Sequence, residues 1–378
     1  MKTTPVYTYL LGSRRRIIPL LTAVGLSVFL IYMVQVLINT SIKTIWRELV
    51  EPYRFASGFA AKSEPIGEEL VNKLEQSGAV NRVFPCMYSY TNISLFIGGT
   101  TGTQVISFME PDMASALQSF DLSLSEGRLP DPGKNEIVLH ELAARNKGLR
   151  VGNKIGSNVQ EGEVLEGSYT ICGILSGEAI LSITSLEYEL EHRSIDNVYS
   201  LGVLAVPKVG QLEKMNADLD ALDGSGLVKR TNATVTRQFE EDTRSVLALV
   251  SMIGLMTVVI LSICAGFLSY IHFYVRRSEF ATLFALGLTP GQVIRQAFMQ
   301  IATVNLAGFA AGWLLSLLAA AAFNFLLLTA KGLAMPVFDG EAMLKSFCVP
   351  LFATLSGVVP VWRILLALDV TDVLEGQG

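Results

Sequence analysis

The sequence is short of charge. Only 17% of its 378 residues are Asp, Glu, Lys or Arg, against roughly a quarter in an ordinary soluble domain. Hydrophobic residues make up 51%, which excludes a disordered chain, and the net charge of −5 excludes the basic profile of a nucleic-acid binder. Reactive side chains are scarce too, with three histidines and four cysteines. His140, His192 and His272 stand apart, without metal-ligand spacing. No G-x-S-x-G, H-E-x-x-H, C-x-x-C or G-x-x-x-x-G-K-[ST] motif occurs, which leaves no nucleophile elbow, zinc helix, dithiol or phosphate-cradling loop. No catalytic residue, metal ligand or cofactor site is assigned, and a non-catalytic chain is expected.

Charge is absent in blocks. Four intervals, between Arg16 and Lys43, Arg244 and Arg276, Arg295 and Lys331, and Lys345 and Arg363, hold 26, 31, 35 and 17 residues without one charged side chain. A helix crosses the hydrocarbon core in about 20 apolar residues, and Arg363 can snorkel to extend the last run. The expected fold class is a membrane protein with four transmembrane α-helices, at 17–38, 246–271, 298–328 and 346–366, and a large α+β extracytoplasmic domain between the first and second. The first run exceeds the 7–15 apolar residues of a signal peptide and lacks a small-x-small cleavage site, so a retained anchor is expected. Lys and Arg favour the cytoplasmic side of short flanks. Arg14, Arg15 and Arg16 before the first span, and Arg276, Arg277 and Arg295 between the second and third, put both termini inside. Arg14, Arg15, Arg16, Arg276 and Arg295 are the expected membrane-surface anchors. The boundaries are then a cytoplasmic tail at 1–16, an outer domain with a helical stalk at 39–245, a cytoplasmic elbow at 272–297, a short outer loop at 329–345 and a cytoplasmic tail at 367–378.

The outer segment carries 19 basic and 28 acidic residues, a charge that mildly disfavours anionic partners. Residues 39–62 extend the first helix, and Pro65 to Gly78 reads as an amphipathic helix. Strand-like runs follow at Ala79–Tyr90, Ser94–Ile97, Thr103–Met109, Glu136–His140, Tyr169–Leu175 and Tyr199–Val206. Helices are expected at Glu141–Lys147, stopped by Gly148, and at Gln211–Leu222. Cys86 and Cys172 both lie in this segment, as a disulfide in an oxidising compartment or as two buried small hydrophobes; the sequence leaves both open.

The spans hold essentially no ionisable residue, the usual mark of an ion or proton path, and four helices are too few for a secondary transporter. Asn305 and Asn324 are the strongly polar groups of the third span. With Gly308, Gly312 and neighbouring alanines they suit close helix packing.

Residues 276–295 form the most informative stretch: Arg276-Arg277-Ser278-Glu279-Phe280-Ala281-Thr282-Leu283-Phe284-Ala285-Leu286-Gly287-Leu288-Thr289-Pro290-Gly291-Gln292-Val293-Ile294-Arg295. Phe280, Leu283, Phe284 and Leu286 are too apolar for an idle loop, while Glu279 and the arginines keep it out of hydrocarbon. Gly287 ends one short helix; Thr289, Pro290 and Gln292 open the next as a capping box. Spacing alone fits an amphipathic elbow lying on lipid or a docking helix for a cytoplasmic partner.

Arg277 through Val293 resemble the R-x-E signature of the MacB/FtsX-like permease subunits of ABC transporters. Leu124-Ser125-Glu126-Gly127-Arg128-Leu129-Pro130, Asn135-Glu136-Ile137-Val138-Leu139, Gly148-Leu149-Arg150-Val151-Gly152-Asn153-Lys154-Ile155 and Tyr169-Thr170-Ile171-Cys172-Gly173-Ile174 are similar to successive turns and strands of that family's outer domain. The one-span, large-domain, three-span layout agrees. The tail Val361–Val370 departs from it in lacking a rich basic end.

The resemblance implies a plasma-membrane protein, of bacterial type, that works as the permease subunit of an ABC transporter. Its partners would be a separate cytoplasmic ATPase chain, which holds ATP and Mg²⁺, a second permease chain (like or unlike), the lipid bilayer and an extracytoplasmic accessory protein. Arg277, Glu279, Phe280, Leu283, Phe284, Leu286, Gly287 and Pro290 would form the ATPase-coupling elbow. The implied function is export or extrusion of peptide, antibiotic or lipid-linked substrates. The alternative is an FtsX-like mechanotransmission complex that regulates a sensor kinase or a cell-wall hydrolase.

Overall fold

A computed structural model describes residues 14–62, 65–95, 99–221, 227–275, 279, 282 and 286–367. In chain order it contains α1 (Arg14–Leu49), a 3-10 turn (Glu51–Arg54), β1 (Ser57–Ala61), α2 (Glu68–Gln76), β2 (Val80–Ser94), β3 (Thr100–Phe108), α3 (Glu110–Ser119) and β4 (Ser123–Gly127). Then come β5 (Glu136–His140), α4 (Glu141–Lys147), β6 (Lys154–Ile155), β7 (Tyr169–Ser176), β8 (Leu181–Ser185), α5 (Leu186–Arg193), β9 (Gly202–Pro207), α6 (Leu212–Ala221) and β10 (Leu227–Arg230). The chain closes with α7 (Asn232–Val275), α8 (Pro290–Phe323), a π-helical turn (Asn324–Leu328), a 3-10 turn (Thr329–Lys331) and α9 (Gly340–Ala367).

The chain divides into two compact units. One comprises Met1–Ile38, Val246–Phe323 and Met335–Gly378; the other comprises Asn39–Ser245 and Asn324–Ala334. The expected fold class is borne out: four helices among the described residues are long and apolar enough to cross a membrane, and a large mixed α/β domain lies between the first and second.

The α/β unit is built on one sheet in the order β10-β1-β9-β2-β3-β8-β5-β7-β4, with β6 on β7. Most neighbours are antiparallel; β3 with β8 and β5 with β7 run parallel. Alternation along the strands buries both faces. In β5, Val138 enters the core of Phe84, Phe108, Met113 and Phe120 under α3, while Ile137 and Leu139 pack with Ile155, Tyr169 and Ile171. A third cluster sets Phe59, Val83 and Val203 against Leu74 of α2 and Met215 of α6.

Several elements match the sequence reading and several correct it. β5 and α4 occupy the expected residues, and Gly148 ends α4 at φ +67 with its N–H on the Ala144 and Arg145 carbonyls. Residues 39–62 are not one helix: α1 stops at Leu49 and β1 follows the 3-10 turn. Ser94 ends the 15-residue β2 instead of starting a strand of its own; the remainder of the expected Ser94–Ile97 run reaches beyond the described residues. Cys86 and Cys172 are free and buried in one core cluster, so the small-hydrophobe reading holds and the disulfide does not.

In the helical unit, α1, α7, α8 and α9 share a core of Leu20, Val24, Val28, Val258, Val304, Val349 and Ala353. Buried Tyr32 of α1 donates to the Val337 carbonyl at 3.1 Å and accepts from the Asp339 N–H at 3.0 Å. Asp339 then caps α9, its Oδ1 accepting from the N–H groups of Glu341 and Ala342.

Candidate functional site

Of the expected elbow, Arg276, Arg277, Phe280, Leu283 and Phe284 lie outside the described residues. Glu279 and Thr282 are helical, and the Leu286 N–H donates to the Thr282 carbonyl at 3.0 Å. Leu286 is exposed. Gly287 adopts φ +89, a left-handed conformation that glycine reaches without steric cost. The next helix opens with one arm of the expected capping box. Gln292 reaches back so that its Oε1 accepts from the Thr289 N–H at 3.0 Å, and the Thr289 carbonyl accepts from Gln292 and Val293. Pro290 is the first residue of α8, where its missing N–H costs nothing. Val293, Ala297 and Ile301 line one buried stripe of α8, while Arg295 is exposed. Arg14, Arg15 and Arg16 form the first turn of α1; their side chains lie outside the description.

The helix-packing residues are largely brought together. A Cβ on Gly312 would lie 2.2 Å from the Gly25 carbonyl oxygen, and one on Gly308 would lie 3.0 Å from Val24 Cβ. α1 and α8 therefore touch backbone to backbone, the approach that small residues permit in lipid. Asn305 is fully buried and its Nδ2 donates to Thr354 Oγ1 of α9 at 2.9 Å. Thr354 Oγ1 in turn donates to the Pro350 carbonyl at 2.6 Å, and Asn305 Oδ1 has no partner among the described residues. Asn324 opens the π-helical turn, in the α/β unit, and its carbonyl accepts from Thr329 Oγ1. Sequence reading missed Gly25, a lone glycine in an apolar run, and Thr354; their signal is only a small residue in an otherwise bulky span.

The α/β unit holds a cleft of about 400 Å³ that the sequence did not announce. Ile45 and Leu49 of α1, Val228 of β10, and Val235 and Phe239 of α7 supply its apolar wall; Tyr53, Tyr90, Gln104, Lys229, Arg230, Gln238, Asp242 and Thr243 supply its polar groups. Trp46 and Phe239 meet edge to face, with centroids 5.3 Å apart, and tie the two helices together. Arg230 Nη1 donates to Tyr53 Oη at 3.0 Å and Nη2 to Tyr90 Oη at 2.8 Å. The guanidinium also sits over the Tyr88 ring, 4.8 Å from its centroid. Burial disfavours its charge, but the tyrosine oxygens outweigh that and hold its pKa above the usual arginine value. Burial likewise pushes the Tyr53 hydroxyl up to about 12, so it stays a neutral donor to Gln104 Oε1 at 3.3 Å. The Nε of Arg230 is buried without a partner.

Two other titratable groups inside this unit, His140 and Glu163, are structural. His140 caps α4, its Nδ1 accepting from the Leu142 N–H, and Nε2 meets the Gly177 carbonyl at 3.2 Å. Burial pushes its pKa down to about 4. Glu163 accepts from Lys147, Thr91 and the backbone of Asn92, Val164 and Leu165. No group of three or more His, Cys, Asp and Glu suited to a metal ion occurs among the described residues.

Residues 251–367 match the family model of the FtsX-like permease C-terminal region, which bears out the MacB/FtsX-like resemblance. A search of curated proteins finds no match. Among solved structures, the periplasmic region of MacB from Actinobacillus actinomycetemcomitans is similar at 10% identity and a TM-score of 0.31, over 52% of this chain and 98% of that one. The extracellular domain of the noncanonic ABC-type transporter YknZ from Gram-positive bacteria gives 12% identity and 0.28, over 47% and 99%. A domain of a putative permease protein from Porphyromonas gingivalis gives 14% and 0.28, over 46% and 88%.

Proposed function

We propose that this chain, whose residues 251–367 match the FtsX-like permease region, is the membrane part of an ABC transporter and couples a separate ATPase to motion of its α/β domain. The ATPase engages the elbow at 272–297 from the cytoplasm, where both termini also lie, and a second permease chain completes the complex. The observation that carries this reading is the turn at Gly287. It sets an exposed Leu286 just before the capped start of α8, inside the matched region. Support for transmission comes from α1 and α7, unbroken helices of 36 and 44 residues. At about 1.5 Å per residue each is longer than a span alone requires. Nearly charge-free spans offer no aqueous path, so the substrate is handled outside the membrane, as in export or extrusion of peptide, antibiotic or lipid-linked molecules. The test is affinity purification of the tagged chain from its native membrane, followed by mass spectrometry. An ABC ATPase subunit is expected in near-equal amount, and its absence under conditions that preserve membrane complexes contradicts the reading.

A further inference from the structure

The cleft around Arg230 has the make-up of a binding site. Its volume of about 400 Å³ falls within the roughly 300–1,000 Å³ of small-ligand pockets. One wall is aliphatic and aromatic, with Ile45 and Leu49 on one helix and Val235 and Phe239 on the other. The opposite wall presents a guanidinium whose hydrogen bonds, among the described residues, go to the phenols Tyr53 and Tyr90 rather than to a carboxylate. Those bonds, and the Tyr53–Gln104 bond behind them, fix the fork while Nε stays unpartnered. A buried donor left without a partner costs free energy, and an oxyanion is the group that guanidinium geometry matches. Asp242 and Lys229 line the same cleft with opposite charges, which leaves the Arg230 guanidinium as its net positive charge. Ile45 and Leu49 belong to the helix that contains the charge-free run of residues 17–42, so the apolar wall continues a helix that spans lipid.

We infer that this cleft binds a membrane-derived amphiphile with one anionic head, a phosphate or carboxylate, the head on Arg230 and the chain against Ile45, Leu49, Val235 and Phe239. Calling that amphiphile the transported or sensed substrate rests on the permease reading; the site itself does not.

The test uses the full chain in phosphatidylcholine nanodiscs, with octyl phosphate as probe and empty nanodiscs as blank. Octyl phosphate should bind saturably, with at least tenfold weaker binding for octyl glucoside, octyltrimethylammonium and inorganic phosphate. Doping the nanodiscs with phosphatidic acid should compete with the probe; failure to compete overturns the bilayer origin. Val235→Trp, which fills the cleft and leaves the Arg230 hydrogen bonds intact, should weaken binding at least tenfold with an unchanged melting temperature. Arg230→Lys should weaken it as well, since an ammonium cannot reproduce the fork. Binding that survives Val235→Trp, or that is equally tight for the neutral or cationic amphiphile, overturns the inference. An ATPase that still co-purifies when octyl phosphate fails to bind preserves the permease reading alone; binding without any ATPase partner preserves the site alone.

Discussion

Replacing Gly312 by alanine adds one methyl group where two helices touch. The new Cβ would lie 2.2 Å from the Gly25 carbonyl oxygen and 2.9 Å from that residue's C and Cα. An ordinary carbon–oxygen contact is about 3.3–3.6 Å, so α1 and α8 must part by about 1 Å, and the obstacle is backbone, which cannot rotate aside. Overpacking of this kind costs about 1–3 kcal/mol; the backbone entropy that alanine saves in a helix returns about 0.5–1 kcal/mol. The net loss is about 1–2 kcal/mol, up to a roughly thirtyfold rise in the unfolded fraction, at 1.4 kcal/mol per factor of ten. Gly308→Ala is milder because its contacts, at 3.0–3.2 Å, are chiefly the Val24 side chain, which can give by tenths of an ångström. Gly254→Ala on α7 meets nothing within 4 Å and should be neutral or stabilising by up to about 1 kcal/mol. Reversible unfolding in mixed micelles, followed by tryptophan fluorescence, ranks the three. A Gly312→Ala protein as stable as Gly254→Ala refutes the backbone contact.

At the Asn305–Thr354 bond, Thr354→Val strips buried Asn305 of the hydroxyl its Nδ2 donates to and should cost about 1–3 kcal/mol. Asn305→Leu leaves Thr354 bonded to the Pro350 carbonyl and should cost less; the reverse order in the same titration contradicts the assignment. His140 titrates at about 4 when folded and near 6.5 when unfolded. Its contribution is therefore complete above pH 6.5 and is lost as pH falls toward 4, by about 3 kcal/mol. His140→Gln should flatten the fall in unfolding midpoint over that window, and an equally steep fall contradicts the burial of a neutral imidazole. Lys147→Met leaves the Glu163 carboxylate, 1% exposed, without its cation. It should destabilise the α/β unit by about 3–5 kcal/mol, read as lost hydrogen-exchange protection around residues 91–92 and 147.

What was legible in the sequence was what local chemistry decides. Charge-free runs gave the four long helices, Gly148 gave the end of α4 and Gly287 the break before α8, each because a single residue type satisfies the backbone there. What was missed depends on partners distant in sequence. β1 has the sequence Ser-Gly-Phe-Ala-Ala, without β-branched residues, and is a strand because β9 and β10 pair with it on either side. β4 is exposed along its whole length, so it shows no alternation to read. Asn324 looks like a polar residue in an apolar helix, yet there the α-helix gives way to a π-helical turn. Arg230 is one basic residue among 19 in its segment; only folding surrounds it with Tyr53, Tyr88 and Tyr90.

The central claim is that the elbow before α8 faces the cytoplasm and takes its motion from another chain's nucleotide cycle. It is tested most directly by placing a photo-crosslinking amino acid at Leu286, exposed beside the Gly287 turn, in living cells. The account predicts an adduct with an ABC ATPase subunit, lost when Gly287→Pro removes the left-handed turn that proline cannot adopt while membrane insertion is unchanged. An adduct only with lipid or an extracytoplasmic protein, or ATPase crosslinking indifferent to Gly287→Pro, would contradict it.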